Sequence, residues 1–513
     1  MPNPQFCSAG PRGQSLACQI APARLSVGMP PLRHRIASLP TLVVPPLALL
    51  CASCASLHRN ADQSDEMRPQ AVDPLTGTGQ LAVSAFRSTG MAAVRQPFTT
   101  IRTGLAVLWH RPREIVTGNV PAEIIPQPQP TEIPGTPEFD KLLDSKGIPL
   151  QEQGKVSFLV DGREFFGEVD RQLASTKKTV DVQVFIYDND DIAVRYSDLF
   201  KQKSQEAKVR VLFDDLGSTF AHRAAPETPA PAGFTPPADI ASYLKSGSEV
   251  RVRRTMNPWL ICDHTKLLIF DRRTAILGGM NIGREYYSEW HDLMVKVEGP
   301  AVGSLTKQFN RAWRKAGPFG DFALFRKPGE VQRPEKIPDG IPVRLMRTDA
   351  ARGQRHILNA SLLAIRAARK RIWIENPYFA HDETALALAA AARRGVDVRV
   401  ILPARGDSTI MDVGNLATAR DLINAGAKIY RYPRMTHMKV MICDGWAQVG
   451  SANLDTLSMR INRELNLAFS DPATVKALEN RVFLPDFRAS KTIRVEETAS
   501  PIAPIAEAVA DQL

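Results

Sequence analysis

Two stretches of this 513-residue sequence, with their histidines 173 residues apart, repeat one pattern of chemistry-bearing residues. The first, DHTKLLIFDRRTAILGGMN, carries His264, Lys266 and Asp271, then Gly278, Gly279 and Asn281. The second, THMKVMICDGWAQVGSAN, carries His437, Lys439 and Asp444, then Gly450, Ser451 and Asn453. With nine histidines in the chain, and roughly a one-in-twenty chance of Lys at +2 and of Asp at +7, chance supplies about 0.02 such motifs. Two of them, with Gly and Asn trailing at nearly the same offset, demand a duplicated architecture.

The duplication extends upstream. KKTVDVQVFIYDND and ARKRIWIENPYFAHD are β-branched and aromatic runs, each followed by a helix-like stretch and a second apolar run, at 209–213 and 398–402. That order predicts a βαβ unit with a right-handed crossover in each copy. Another helix and strand follow, DIASYLKSGSEVRVRR in one copy and LATARDLINAGAKIYRY in the other, with Gly247 and Gly426 where helix C-terminal glycines belong. The first copy alone carries a Pro-rich loop, roughly Ala221 to Pro237. Such an insert is expected to run over the surface and to border a site.

Alternation on a strand puts His and Lys, two residues apart, on one face. Displacing an alcohol from a phosphodiester needs a nucleophile, a proton for the leaving oxygen and positive charge for the equatorial oxygens. One histidine can attack and form a phosphohistidine while the other acts as general acid and then base. Two lysines supply fixed charge. A Lys beside each His would repel a cation, so no metal and no cofactor is expected. Asn281 and Asn453, with backbone N–H groups near Gly279 and Ser451, can add hydrogen bonds to the same oxygens. Asp292 and Glu464 each lie eleven residues past the Asn of their copy and open the stretches DLMVKV and ELNLAF. They are favoured as imidazole partners, since a carboxylate can hold each ring in one tautomer. Asp271 and Asp444 fall in turns. They count with the catalytic set by motif, and fixing the turn is an equally open reading.

Net charge is +11, of which residues 1–53 contribute +4 through Arg12, Arg24, Arg33 and Arg35. The balance favours anionic partners: a phosphate substrate, a lipid surface or nucleic acid. From Met29 a basic start precedes an apolar stretch, about Leu39 to Leu50, and small residues ending in Cys54. This is the plan of a signal peptide over 29–54, with Cys54 as a lipidation site and export to the cell envelope as the expected address. Residues 55–137 read as a tether and an extended Pro-rich linker, with an amphipathic helix at 91–109 despite Pro97. Lobes at 138–325 and 340–490 follow, then a tail, 491–513. Cys262 and Cys443 read as packing residues.

HxKxxxxD with a trailing GGxN or GSxN, twice in one chain, resembles the phospholipase D superfamily. GGMNIGREY at 278–286, WHDLMVKVEGPAV at 290–302 and GSANLDTLSMRINRELNLAF at 450–469 are similar to bacterial cardiolipin synthases. The resemblance implies an α/β fold of two pseudo-symmetric lobes, each a mixed β-sheet flanked by helices, sharing one active site. It implies transfer of a phosphatidyl group from one phosphatidylglycerol to another, with His264 as nucleophile, His437 as acid and base, and an anionic phospholipid at a membrane surface as partner. Hydrolysis to phosphatidic acid is the near alternative. A nuclease is the distant one, disfavoured by the export signal. With both motifs in one chain, a single chain is expected to be active.

Overall fold

The computed structural model describes residues 88–117, 127–222, 227–325, 331 and 334–500. The segment expected to be a signal peptide, with Cys54, and about half of the tether and tail lie outside them.

The first βαβ unit is β2 (Thr179–Val184), α4 (Asp191–Lys203) and β3 (Lys208–Asp214), and β2 pairs with β3 in parallel. Both strands are buried along nearly their whole length, which is why they read as continuous apolar runs. The Asp190 carboxylate caps α4 by accepting the Ala193 N–H. In the second copy β10 (Arg371–Glu375), α9 (Asp382–Arg393) and β11 (Asp397–Pro403) repeat the unit, again parallel. Helix α6 (Ile240–Lys245) leads into β4 (Arg251–Thr255), and α10 (Thr409–Asn424) into β12 (Lys428–Tyr432). Gly247 and Gly426 follow these helices with φ of +64° and +101°, the left-handed conformation expected of them.

Each motif then opens a hairpin: β5 (Leu267–Phe270) with β6 (Thr274–Gly278), and β13 (Val440–Cys443) with β14 (Trp446–Gly450). A return strand follows, β7 (Leu293–Glu298) in one copy and β15 (Glu464–Phe469) in the other. The copies open on β1 (Glu152–Val160) and β8 (Ile341–Asp349). Across the molecule the order is β16–β12–β11–β10–β13–β14–β15–β8–β1–β7–β6–β5–β2–β3–β4, where β16 is Lys491–Thr492 and the short β9 (Gln354–Arg355) pairs with β8. Leaving out β16 and β9, the order reads the same from either end. The symmetry point is the antiparallel β1–β8 pair, in register at Glu152↔Val343. The two lobes are thus halves of one sheet. One core face runs under both, with Phe158 against Phe469 at 6.0 Å.

Three features depart from the sequence reading. Residues 127–136 fold into turns, and Pro134 C=O accepts the Gly445 N–H of the second hairpin. An extended linker was expected there. Helix α2 (Pro137–Ser145), assigned to the first lobe, packs in the core of the second, with Phe139 edge-on to Trp446. Buried Arg344 of β8 ties it down through Asp140 and Asp144. Pro97 starts a helix, α1 (Pro97–Thr117), directly after a helical stretch at 88–95. At a first helical position the missing N–H of Pro costs nothing. No helix among the described residues is long and apolar enough to cross a membrane.

Candidate active site

His264 and Lys266 lie in the extended lead-in to β5, and His437 and Lys439 in the lead-in to β13. These lead-ins meet the opposite half. An isolated parallel bridge joins Asp263 to Arg463, and His264 N–H donates to Arg463 C=O at 2.9 Å. A second joins His291 to Thr436, and His437 N–H donates to His291 C=O at 2.7 Å. One residue beyond each bridge stand a histidine and an acid. That register sets the pairing. His264 Nδ1 lies 3.0 and 3.1 Å from the two carboxylate oxygens of Glu464. His437 Nδ1 lies 2.7 Å from Asp292 Oδ2. The acids favoured from the repeat do hold the imidazoles, and each holds the ring of the other half.

All four groups are buried. Burial, with Lys266 and Lys439 close by, holds the His264 imidazole well below its ordinary range. Burial and the same two lysines do so for His437. Burial also raises the carboxyls, Asp292 to about 7 and Glu464 to about 8. A neutral imidazole donating Nδ1–H to its acid leaves the Nε2 lone pair as its reactive atom. The two lysines are nearly inaccessible, and each Nζ donates to the backbone carbonyl of its own histidine, at 2.8 Å for Lys266 and 2.5 Å for Lys439. Burial lowers Lys439 to about 8.

Asp271 and Asp444 lie apart from the histidines of their motifs. They sit at the far ends of β5 and β13, seven residues and about 23 Å along the extended chain from their histidines at ~3.3 Å per residue. Asp271 accepts the backbone N–H groups of Lys177, Lys178 and Thr179. Asp444 accepts those of Arg369, Lys370 and Arg371. Of their two readings, turn fixation is the one the geometry matches.

Asn281, His264, His437 and Asn453 line one cleft of about 790 Å³, part of it open to solvent. Asn281 Oδ1 accepts the Ile186 N–H, and Asn453 Oδ1 is buried without a protein partner. Ser451 Oγ donates to Glu464 at 2.5 Å, so it supports the acid. Gly279 has no room for a side chain, because a Cβ there would lie 2.1 Å from Asp292 Oδ1. Cys443 is fully buried in the core, while Cys262 lies on the cleft wall. The Pro-rich insert borders the site: the N–H groups of Glu227 and Thr228 donate to Glu289, next to the cleft residue Trp290.

Sequence reasoning missed the polar and aromatic wall. Glu285, Asp407 and Asp455 line the cleft, and Tyr378 Oη donates to Asp407 at 2.5 Å. Burial raises Asp455 to about 7 and Glu285 well above the carboxylate range. None of these has a counterpart in the other half, so the repeat gave no signal for them. Behind His437, the atoms of His291, Glu375 and Asp486 approach within 4.8 Å, close enough for a metal. Burial opposes a charge on His291, but its hydrogen bond to Asp161, at 2.6 Å, and the Asp486 carboxylate, 3.2 Å from Nε2, raise it to about 11. The imidazolium therefore supplies the positive charge of that cluster.

The family model described as "Cardiolipin synthase, PLD-like domain" matches residues 169–313 and 362–483. Cardiolipin synthase A of Pseudomonas syringae pv. syringae (strain B728a) is 31% identical over 68% of this chain and 72% of its own. Cardiolipin synthase A of Pseudomonas fluorescens (strain SBW25) is 30% identical over the same shares. The crystal structure of the phosphatidylserine synthase of Haemophilus influenzae Rd KW20 aligns with a TM-score of 0.57 at 16% identity, covering 73% of this chain and all of that one. That likeness is one of fold.

Proposed function

The chain belongs to the PLD-like domain family of the cardiolipin synthases, and from that premise we propose that it transfers phosphatidyl groups, making cardiolipin and glycerol from two phosphatidylglycerols. The observation that carries this is the pair of crossed His–carboxylate couples facing one cleft. His264 takes the nucleophile's part, as the resemblance assigns it. Its Nε2 attacks phosphorus, the bond to the leaving glycerol oxygen breaks, and His437 supplies that oxygen's proton. The bound anionic phosphodiester favours the charged form of His437. His437 then takes the proton of the incoming glycerol hydroxyl, the new P–O bond forms, the P–N bond breaks, and His264 is restored. Lys266 and Lys439 offset charge on the equatorial oxygens. The carboxyl groups of Glu285, Asp407 and Asp455 suit a polyol headgroup, whose hydroxyls they can bind. One chain supplies both halves, which supports activity as a single chain.

The test incubates wild type and His264→Ala with phosphatidylglycerol and, separately, with single-stranded DNA. Cardiolipin and glycerol from the wild type alone are expected. Phosphatidic acid as the sole product moves the reading to hydrolysis. Cleaved DNA with untouched lipid overturns the lipid substrate, and full activity in His264→Ala overturns the mechanism. An exported, membrane-bound setting suits this substrate, and fatty-acid labelling that disappears in Cys54→Ala is the expected sign of a lipid anchor.

A further inference from the structure

Helix α1 is laid inside out. Its buried stripe is polar: Gln96, just before it, then Thr99, Thr100 and Thr103. Its exposed stripe is apolar: Val94, again just before it, then Phe98, Ile101 and Leu105, each half or more exposed. A surface helix ordinarily does the reverse. The polar face is fixed in place. Thr99 donates from both N–H and Oγ1 to Asp321, at 2.8 and 2.7 Å, and Gln96 Nε2 donates to Lys315 C=O. The apolar stripe is therefore held outward.

Two neighbours extend the stripe. Phe98 packs edge-on against Phe322 and Phe325, at 5.9 and 6.3 Å, and both of these are also more than half exposed. Trp259 is half exposed and its Nε1–H donates to Thr100 C=O at 2.9 Å. Among the described residues ten large apolar side chains are half or more exposed, and eight belong to this one patch. Monomeric proteins rarely leave such a patch uncovered. The patch adjoins the cleft. Val107 of α1 packs on Ile261, Leu457 and Ile461, and both Leu457 and Cys262, the residue after Ile261, line the cleft.

The charges choose the occupant. Between Ser88 and Val107 the only charged residues are Arg95 and Arg102, and Arg102 is exposed. The one acid of the aromatic turn, Asp321, is buried against Thr99. An apolar, aromatic surface with basic residues and, over 88–107 and 319–325, no exposed acid suits the headgroup layer of an anionic bilayer, where Trp is favoured. We propose that α1, Trp259 and the turn at 319–325 form a docking surface that seats the cleft mouth on an anionic phospholipid membrane. This rests on the lipid reading of the active site and names the surface that delivers the lipid.

The test uses the full chain, vesicles of phosphatidylglycerol with phosphatidylcholine, and a triple variant, Phe98→Ser with Ile101→Ser and Leu105→Ser. Flotation of the variant is expected to fall about tenfold or more, while its turnover of phosphatidylglycerol in detergent micelles stays within about twofold of wild type. Trp259 supplies a readout that an N-terminal anchor does not affect. Bromolipids in the vesicles should quench wild-type fluorescence, and Trp259→Phe should reduce that quenching. Equal flotation by the variant, together with quenching that Trp259→Phe leaves unchanged, overturns the proposal. Loss of micellar turnover in step with flotation also overturns it, because the helix then serves the fold. Vesicle binding by a wild type that makes no lipid product leaves docking standing and sinks the transferase reading.

Discussion

The two halves of the sheet share a strand order and a backbone plan, yet each steadies its acid differently. In the first half Asp292 sits close against Gly279, and its Oδ1 accepts the Leu293 N–H at 2.7 Å. In the second half Glu464, one carbon longer, is held by the hydroxyl of Ser451, which also accepts the Leu465 N–H at 3.0 Å. Acid length and neighbour size change together. A short acid with glycine and a long acid with serine both deliver a carboxylate to the imidazole of the opposite half. What the duplication preserves is where the carboxylate arrives.

The strongest challenge to this equivalence is to neutralise each acid. Asp292→Asn and Glu464→Gln keep shape and lose the ability to hold the imidazole tautomer. Each is expected to lower kcat by about 10³–10⁴, read as product formed per enzyme. A loss below tenfold in one of them would break the symmetry and leave a single working couple. The same variants alter the pH dependence of stability. Both carboxyls are raised by burial, Asp292 to about 7 and Glu464 to about 8. Their contribution is fully present below the ordinary carboxylate range and is lost as pH rises through those values. Denaturant titrations from pH 5 to 9 should show wild type losing stability, with a flatter slope in either variant.

Exchanging the neighbours tests the finer difference. Gly279→Ser places a Cβ where Asp292 Oδ1 now lies, displacing the carboxylate. Misplacement of this order costs about 10²-fold in rate. Ser451→Gly removes one hydroxyl from Glu464 and leaves open space, so a smaller loss, about tenfold, is expected. Unchanged kinetics in Gly279→Ser would mean that the two acid sites tolerate the same neighbour, and that the covariation has no mechanical basis.

How much of this could be read from the sequence follows from what the repeat does and does not encode. His264, Lys266, His437 and Lys439 announced themselves by spacing, and Asp292 and Glu464 by equal distance from Asn281 and Asn453. The βαβ units and the glycines after α6 and α10 are local events, fixed by periodicity and backbone conformation. The crossing was not legible. It depends on single bridges, Asp263 to Arg463 and His291 to Thr436, between segments 200 and 145 residues apart. The packing of α2 in the second half's core is likewise a long-range choice, made by Trp446 and Arg344. Glu285, Asp407 and Asp455 gave no signal because they lie where the halves differ. Helix α1 was legible as amphipathic, but which face is buried is decided by Asp321 and Lys315, more than 200 residues on.

The smallest expected difference concerns the turn acids, where the halves are most alike. Asp271 and Asp444 have φ of +49° and +48°, and each carboxylate accepts three backbone N–H groups at 2.7 to 2.9 Å. Asn tolerates that backbone conformation, so Asp271→Asn and Asp444→Asn isolate the carboxylate. Each should cost about 1–2 kcal/mol of stability, with kcat within about twofold of wild type, because neither reaches the cleft. Burial opposes the Asp271 charge, but its three N–H donors prevail and hold the carboxyl below its ordinary value. Its stabilisation is therefore present above the ordinary value and lost as pH falls through the lower, folded one. Asp271→Asn should weaken the acid-side loss of stability, measured as unfolding midpoint between pH 5 and pH 2. A tenfold fall in kcat in either variant would return that aspartate to the catalytic set. A gap of more than about 1 kcal/mol between the two would show that matching geometry does not make the halves energetically equivalent.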